Sequence, residues 1–327
     1  PYEKWVSEFT RLNGRPLRVL HIGNIANNAY NNAKIQRQRG IDADVLCSDY
    51  YHIMACPEWE DGRFDGKIEN DLFPDWWAAK LRGYRRPDWF AQGPLDACVR
   101  YLLAHTAKAR SKRFLWRWLT FERWMLCRDS ERRKRVTDWV FKHTNRIIQH
   151  DAGPANGILW KWWAAVLLQW AKKNEVAWPR LAKKMRRSAT RLSAFGRTAD
   201  NGQALIRNLY RTQGQRAATR ARLSALLGGP ENSPSVDWFF NWWYHPYMKL
   251  LMRRYDVVQC YATYTAMPFI IGHDYVAYEH GTIRSIPFQD TDEGKMCMAT
   301  YRSAKAVFVT NTDNLAAADK MRLPRDR

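Results

Sequence analysis

Short aliphatic runs closed by polar turns mark both ends of the chain, and the middle loses that rhythm. Leu17-Arg18-Val19-Leu20-His21-Ile22-Gly23-Asn24 is a brief apolar run ended by glycine, which predicts a buried parallel strand over 18–24. A helix is expected over 28–39, with Ala29, Ala33 and Ile35/Gln36 toward the sheet and Gly40 closing it. Residues 43–47 then read as a second strand, completing the β-α-β order of a Rossmann-like half-unit. Residues 57–75 turn acidic and loop-like. Strand patterns return at 256–260, 275–278 and 306–310, with a helix over 292–304 and another starting after the last strand. Both ends of the chain are therefore expected in one parallel sheet, whose carboxyl-edge turns form the place for a polar ligand.

The middle changes this picture through its charge. The chain of 327 residues has a formal net charge of +21. Residues 76–230 hold 33 Lys/Arg against 9 Asp/Glu, whereas residues 1–75 hold 9 against 12 and residues 231–327 hold 11 against 11. Most of the 17 Trp also lie between Trp76 and Trp243. Helical stripes are legible over 158–171 (Leu159, Trp162, Trp163, Val166, Leu167, Trp170) and over 179–195, where Pro179 stands in the first turn. The run over 158–171 is broken by Lys161 and Gln169 and falls short of the roughly 20 apolar residues a bilayer span needs. Three readings of residues 76–230 stand open. They are a helical subdomain with a Trp core and a solvated basic surface, a surface that docks on an anionic membrane, and a nucleic-acid-binding module. The last ranks lowest, because no zinc finger, RRM signature or helix-turn-helix is recognisable. Six scattered cysteines without a C-x-x-C pair, and no visible signal peptide, lead us to expect reduced thiols and a cytoplasmic setting.

Candidate chemistry gathers in the turns. Gly23-Asn24-Ile25-Ala26-Asn27-Asn28 joins a strand to a helix, where backbone N–H groups and the helix dipole favour an anion. It could equally be an ordinary turn with an Asn cap. With one Gly and no following Gly-Lys-Ser/Thr it matches neither a dinucleotide fingerprint nor a Walker A loop, which disfavours nicotinamide chemistry. In Tyr278-Glu279-His280-Gly281-Thr282-Ile283-Arg284, His280 could act as a general base or hydrogen-bond a sugar hydroxyl, or only tie down the loop. Arg284 could hold a phosphate or carboxylate, or be a solvated arginine. Asp290, Asp292 and Glu293 are expected to charge the first turn of the next helix.

The first strand and its Asn-Asn-Ala-Tyr-Asn-Asn-Ala-Lys helix start resemble GT-B glycosyltransferases of the family 4 type. So do Tyr-Glu-His-Gly-Thr-Ile-Arg and the later Tyr-Arg-Ser-Ala-Lys-Ala-Val-Phe-Val-Thr-Asn. The likeness covers about 1–56 and 250–320. It implies an α/β fold, a Rossmann-like parallel sheet forming the N-terminal half of a GT-B fold, interrupted by a large basic, Trp-rich helical insertion. The implied boundaries are 1–75, 76–245 and 246–327. The implied activity is retaining, metal-independent transfer of a sugar from a nucleotide-diphosphate sugar to a glycan or lipid-linked acceptor, with no cofactor. By that resemblance Gly23, Asn24, Asn27 and Asn28 approach donor and acceptor, and His280 faces the reaction centre among Glu279, Gly281, Thr282 and Arg284. Asn311 and Asp313 border the cleft. The family's second Rossmann domain, with its Arg/Lys pair and Glu-x7-Glu motif, has no counterpart in these residues, so the chain is expected to be the acceptor-side half. An enzyme of this kind would sit in the cytoplasm, peripheral to the inner face of a membrane.

Overall fold

The computed structural model describes residues 2–76, 78–93, 95–107 and 202–325. Its contacts divide the chain into two compact units, one of residues 1–139 and 216–327 and one of 140–215. The first unit contains a six-stranded sheet in the order β3-β2-β1-β4-β5-β6, every pair parallel. The strands are β1 (Arg18–Ile22), β2 (Asp42–Ser48), β3 (Phe90–Gly93), β4 (Val257–Tyr261), β5 (Val276–Glu279) and β6 (Ala306–Val309). That order is compatible with a Rossmann-like fold, and the direction of winding reverses between β1 and β4.

Side-chain alternation along the strands divides the core into two layers. Val19 of β1 joins Val45 of β2 and Tyr261 of β4 under helix α1 (Tyr2–Asn13), which supplies Val6, and α2 (Asn28–Gln38), which supplies Ala29, Tyr30 and Ala33. Leu20 and Ile22 face the opposite way, into the larger core. There they meet α4 (Leu95–His105), α5 (Gly202–Leu227), α6 (Asp237–Trp243), α7 (Met248–Met252), α8 (Ala266–Ile271), α9 (Asp292–Ser303) and α10 (Thr312–Lys320). Between β2 and β3, α3 (Pro57–Asp61) carries Glu58, whose buried carboxylate pairs in two contacts, 2.8 and 2.7 Å, with Arg86.

The expected strands and helices of the two ends form within one or two residues of their predicted limits. Five points differ, two of them helices not expected: α1 over Tyr2–Asn13, and α3 over Pro57–Asp61 in the acidic stretch read as loop-like. Ile35 is 56% exposed, and Tyr30 takes the inward place instead, because a helix advancing 100° per residue aligns Tyr30 with Ala29 and Ala33. Strand β3, in Phe90-Ala91-Gln92-Gly93, has too few residues to show a pattern, yet β2 offers it an open parallel edge. With α4 and α6 it lies inside the span 76–245 assigned to the insertion, and all three pack in the layers of the sheet. The helices expected over 158–171 and 179–195 lie outside the described residues. Thr291 caps α9 by accepting from Gly294 N, with Asp292 and Glu293 in its first turn, while Asp290 pairs with Lys295. Among the described residues no helix is long and apolar enough to cross a membrane.

A polar chain crosses the core beneath α2. Tyr261 accepts from Asn32 Nδ2 and Gln259 Nε2, each at 2.9 Å, and its hydroxyl meets His21 Nδ1 at 2.9 Å. His21 Nε2 donates to Gln36 Oε1 at 2.8 Å, which places the proton of the neutral ring on Nε2. Burial lowers its pKa from 6.5 to about 4. The unfolded chain takes up this proton near pH 6.5 and the folded chain near 4, so the contribution is whole above pH 6.5 and is lost as the pH falls toward 4. Denaturant melts should show about 3 kcal/mol of stability disappearing across that window. His21→Gln should remove that component, and an identical pH profile in the variant would assign it elsewhere.

Candidate functional site

The turns that follow β1, β4 and β5 converge where the winding reverses. Gly23 ends β1 with φ +91°, and its N–H donates to Leu46 O at 2.8 Å. A Cβ built on it would lie 2.6 Å from Cδ2 of Tyr264, which follows β4. The Tyr264 hydroxyl donates to Ser48 O at 3.1 Å, and Trp243 packs edge-on to the ring with centroids 5.0 Å apart. Glycine stands here because the ring of Tyr264 occupies its side-chain space and because φ is positive. The glycine does not open the backbone to a ligand.

Beyond Gly23 the turn is held from inside. Buried Asn24 accepts from Tyr30 N at 2.9 Å, capping α2, and donates to Asn27 Oδ1 and Ala55 O, both at 2.9 Å. Asn27, also buried, donates to Cys56 O at 3.1 Å. Ala26 and Asn27 both take left-handed backbone, at φ 49° and 54°, and Ala262 after β4 does so at φ 50°. A non-glycine residue there costs of order 1–2 kcal/mol, and such strain persists only where neighbours enforce it. Asp49, after β2, joins them at φ 51°, so left-handed residues stand in the turns after three of the strands.

After β5, buried Glu279 organises the second turn. Its Oε1 accepts from Gly281 N and, at 3.1 Å, from Ile283 N, while Tyr301 donates to Oε2 at 2.6 Å. Burial, aided by the carboxylate, pushes the Tyr301 hydroxyl well above its ordinary value, so it stays a proton donor. Gly281 takes φ +117°, and Thr310 donates to Glu279 O at 2.9 Å. The next side chain, His280, is exposed and reaches back to α2, where Asn28 Nδ2 meets His280 Nδ1 at 3.2 Å. An amide nitrogen only donates, so Nδ1 accepts and a neutral ring carries its proton on Nε2. The free edge of His280 is then a hydrogen-bond donor.

Arg284 belongs to a separate cluster at the start of α10. It meets Asp313 Oδ2 at 2.7 Å and Asn314 Oδ1 at 3.0 Å. In the amide orientation that satisfies both groups, Asn311 accepts from it at 3.1 Å. The residues singled out in the sequence therefore separate by role. Asn28 and His280 come together at the surface, with half-buried Gly281 and Thr282 behind them. Gly23, Asn24, Asn27 and Glu279 are internal parts that shape this surface. Arg284, Asn311 and Asp313 bind one another. Tyr264 and Tyr301, which hold both turns in place, lack any local motif, since each reaches its partner from a different part of the chain. Among the described residues no group of three or more His, Cys, Asp and Glu could hold a metal ion.

Gly23→Ala should cost roughly 3 kcal/mol in denaturant unfolding, from overpacking added to a positive φ. A loss under about 1 kcal/mol would mean that Tyr264 is not seated on the glycine.

Comparison of the chain with protein-family models, with curated proteins and with solved structures finds no match.

Proposed function

We propose that the chain is the acceptor-side half of a retaining glycosyltransferase that moves a sugar from a nucleotide-diphosphate sugar to a glycan or lipid-linked acceptor. The observation that carries this reading is the Asn28–His280 pair, which joins the turn after β1 to the turn after β5 beside the reversal of the sheet. Open α/β sheets bind ligands at this edge. A surface of amide and imidazole groups matches hydroxyl-rich ligands, each group offering directed hydrogen bonds.

The reaction makes a bond between the acceptor oxygen and the anomeric carbon, breaks the bond from that carbon to the diphosphate oxygen, and passes the acceptor's hydroxyl proton to the departing diphosphate. The demands on the protein are placement of the hydroxyl and stabilisation of the departing charge. Since Tyr264 covers Gly23, and Asn24 and Ile25 O take the N–H groups of Tyr30 and Asn28, the diphosphate is proposed to meet the dipole of α2 through the Asn28 side chain. His280, donating through Nε2, orients the acceptor oxygen; acting as a base at Nδ1 would require it to leave Asn28. No metal enters this scheme. Arg284 is held by Asp313, which favours a part in shaping the 281–288 turn over binding the acceptor. A lipid-linked acceptor would place the enzyme at the inner face of a membrane, with residues 76–230 toward anionic lipid.

In the enzyme carrying both halves, His280→Ala should lower turnover at least tenfold, about 1.4 kcal/mol of transition-state stabilisation, without changing the thermal melt. His280→Gln, which keeps a donor, should retain more activity than the alanine variant. Equal turnover in all three proteins would remove His280 from the mechanism. Binding of RNA or DNA with a steep salt slope, and no response to nucleotide sugars, would instead favour a basic nucleic-acid-binding protein without catalysis.

A further inference from the structure

Two short consecutive helices, α6 and α7, bury one side and leave large side chains on the other. Inward go Phe239 and Phe240 of α6 and Met248, Leu251 and Met252 of α7, all part of the larger core. Outward stand Trp238 at 50%, Trp242 at 63%, Tyr247 at 41% and Leu250 at 45% exposure. Trp238 and Trp242, one helical turn apart, lie against each other with ring centroids 6.3 Å apart. The neighbouring core cannot absorb them, since Phe239 and Phe240 already fill that side.

Acids stand only at the Trp238 end of this face, where Asp237 precedes the ring and Glu293 lines a small pocket with it. From Trp238 to Tyr255 there is no carboxylate, and there are three cations, Lys249, Arg253 and Arg254. Arg254 is engaged, donating to Leu103 O and Thr106 Oγ1 at 2.8 and 2.9 Å. Arg216 and Arg220 of α5 both meet Asp237, which offsets that acid. Among the described residues Lys249 and Arg253, which bracket Leu250 in sequence, have no acidic partner.

We propose that this surface, lying outside residues 76–230, docks the protein on an anionic lipid bilayer, with Trp238, Trp242, Tyr247 and Leu250 at the headgroup–acyl boundary and Lys249 and Arg253 against lipid phosphates. Tryptophan and tyrosine suit that boundary because each joins a large apolar ring to one polar group. The flanking cations add attraction to a negative leaflet and keep their heads in water. Two free cations are too few to follow a nucleic-acid backbone, and an aliphatic Leu250 adds nothing to base stacking, whereas both fit a membrane interface. The inference stands on these residues alone and does not depend on glycosyl transfer.

The test is sedimentation of the whole chain with phosphatidylcholine vesicles, with and without phosphatidylserine, at low salt and at about 1 M salt, where screening acts over roughly 3 Å. The wild-type protein should bind the phosphatidylserine vesicles and keep a bound fraction at high salt, from the inserted rings. Trp238→Ser with Trp242→Ser should lower partitioning at least tenfold at low salt and abolish the salt-resistant fraction. Lys249→Glu with Arg253→Glu should lower binding at low salt while leaving that fraction in place. Trp5→Ser, at an exposed tryptophan on α1, should change neither. Partitioning of the Trp238/Trp242 variant equal to wild type, or no wild-type binding to either vesicle, would overturn the proposal. So would a wild-type dimer that this variant dissolves, which would make the surface a self-association face, or loss of its binding to duplex DNA or RNA rather than to vesicles. Turnover is not the readout, so failure here leaves the glycosyltransferase reading to its own assay.

Discussion

The seating of Tyr264 in the space beside Gly23 is the constraint on which the rest of this edge depends. It joins β1 and β4, which come from opposite ends of the chain, at the point where the sheet changes its direction of winding. A side chain at position 23 would push the ring away from Ser48 O and disturb its contact with Trp243. With the ring in place the β1 turn cannot relax, and Asn24 and Asn27 fasten it to the carbonyls of Ala55 and Cys56. The left-handed conformations of Ala26, Asn27 and Ala262 follow from that closure.

The same economy holds at β5. Glu279 is a buried carboxylate whose oxygens accept two backbone N–H groups and the Tyr301 hydroxyl, so its charge is met without a cationic partner. Its work is to fix the turn that presents His280. Glu279 is therefore structural, and the side chain this turn leaves to solvent is that of His280. At Asn24 and Asn27 the pattern is the same, with Asn28 beside them facing outward. In each turn a buried polar residue is followed by one that reaches the surface, half-buried Asn28 and exposed His280.

Binding and anchoring, as proposed, divide between separate parts of the same unit. The Asn28–His280 pair is built by the β1 and β5 turns, whereas the Trp238–Trp242 surface is built by helices held to the larger core through Phe239 and Phe240. Short helices suit the second task. Their inner faces are held by the core, so the outer rings are presented without a flexible connection.

By itself the sequence determined the parallel α/β character, the strands at both ends and the places where the turns carry polar groups. It could do so because those signals are local: an aliphatic run that ends in glycine, an alanine spacing of four, a threonine before two acids. Strand β3 escaped because four residues carry no period, and Ile35 was misplaced because an apolar side chain is not always an inward one. Tertiary structure alone decided which polar residues work inside and which reach the surface. Gly23 looked like a glycine that admits phosphate, but the ring that fills its space comes from residue 264. Glu279 and Arg284 looked like ligands for substrate, yet Tyr301 and Asp313 claim them. Each of these assignments depends on a partner 22 to 241 residues away, and contact at that separation is set by packing, which no local pattern records.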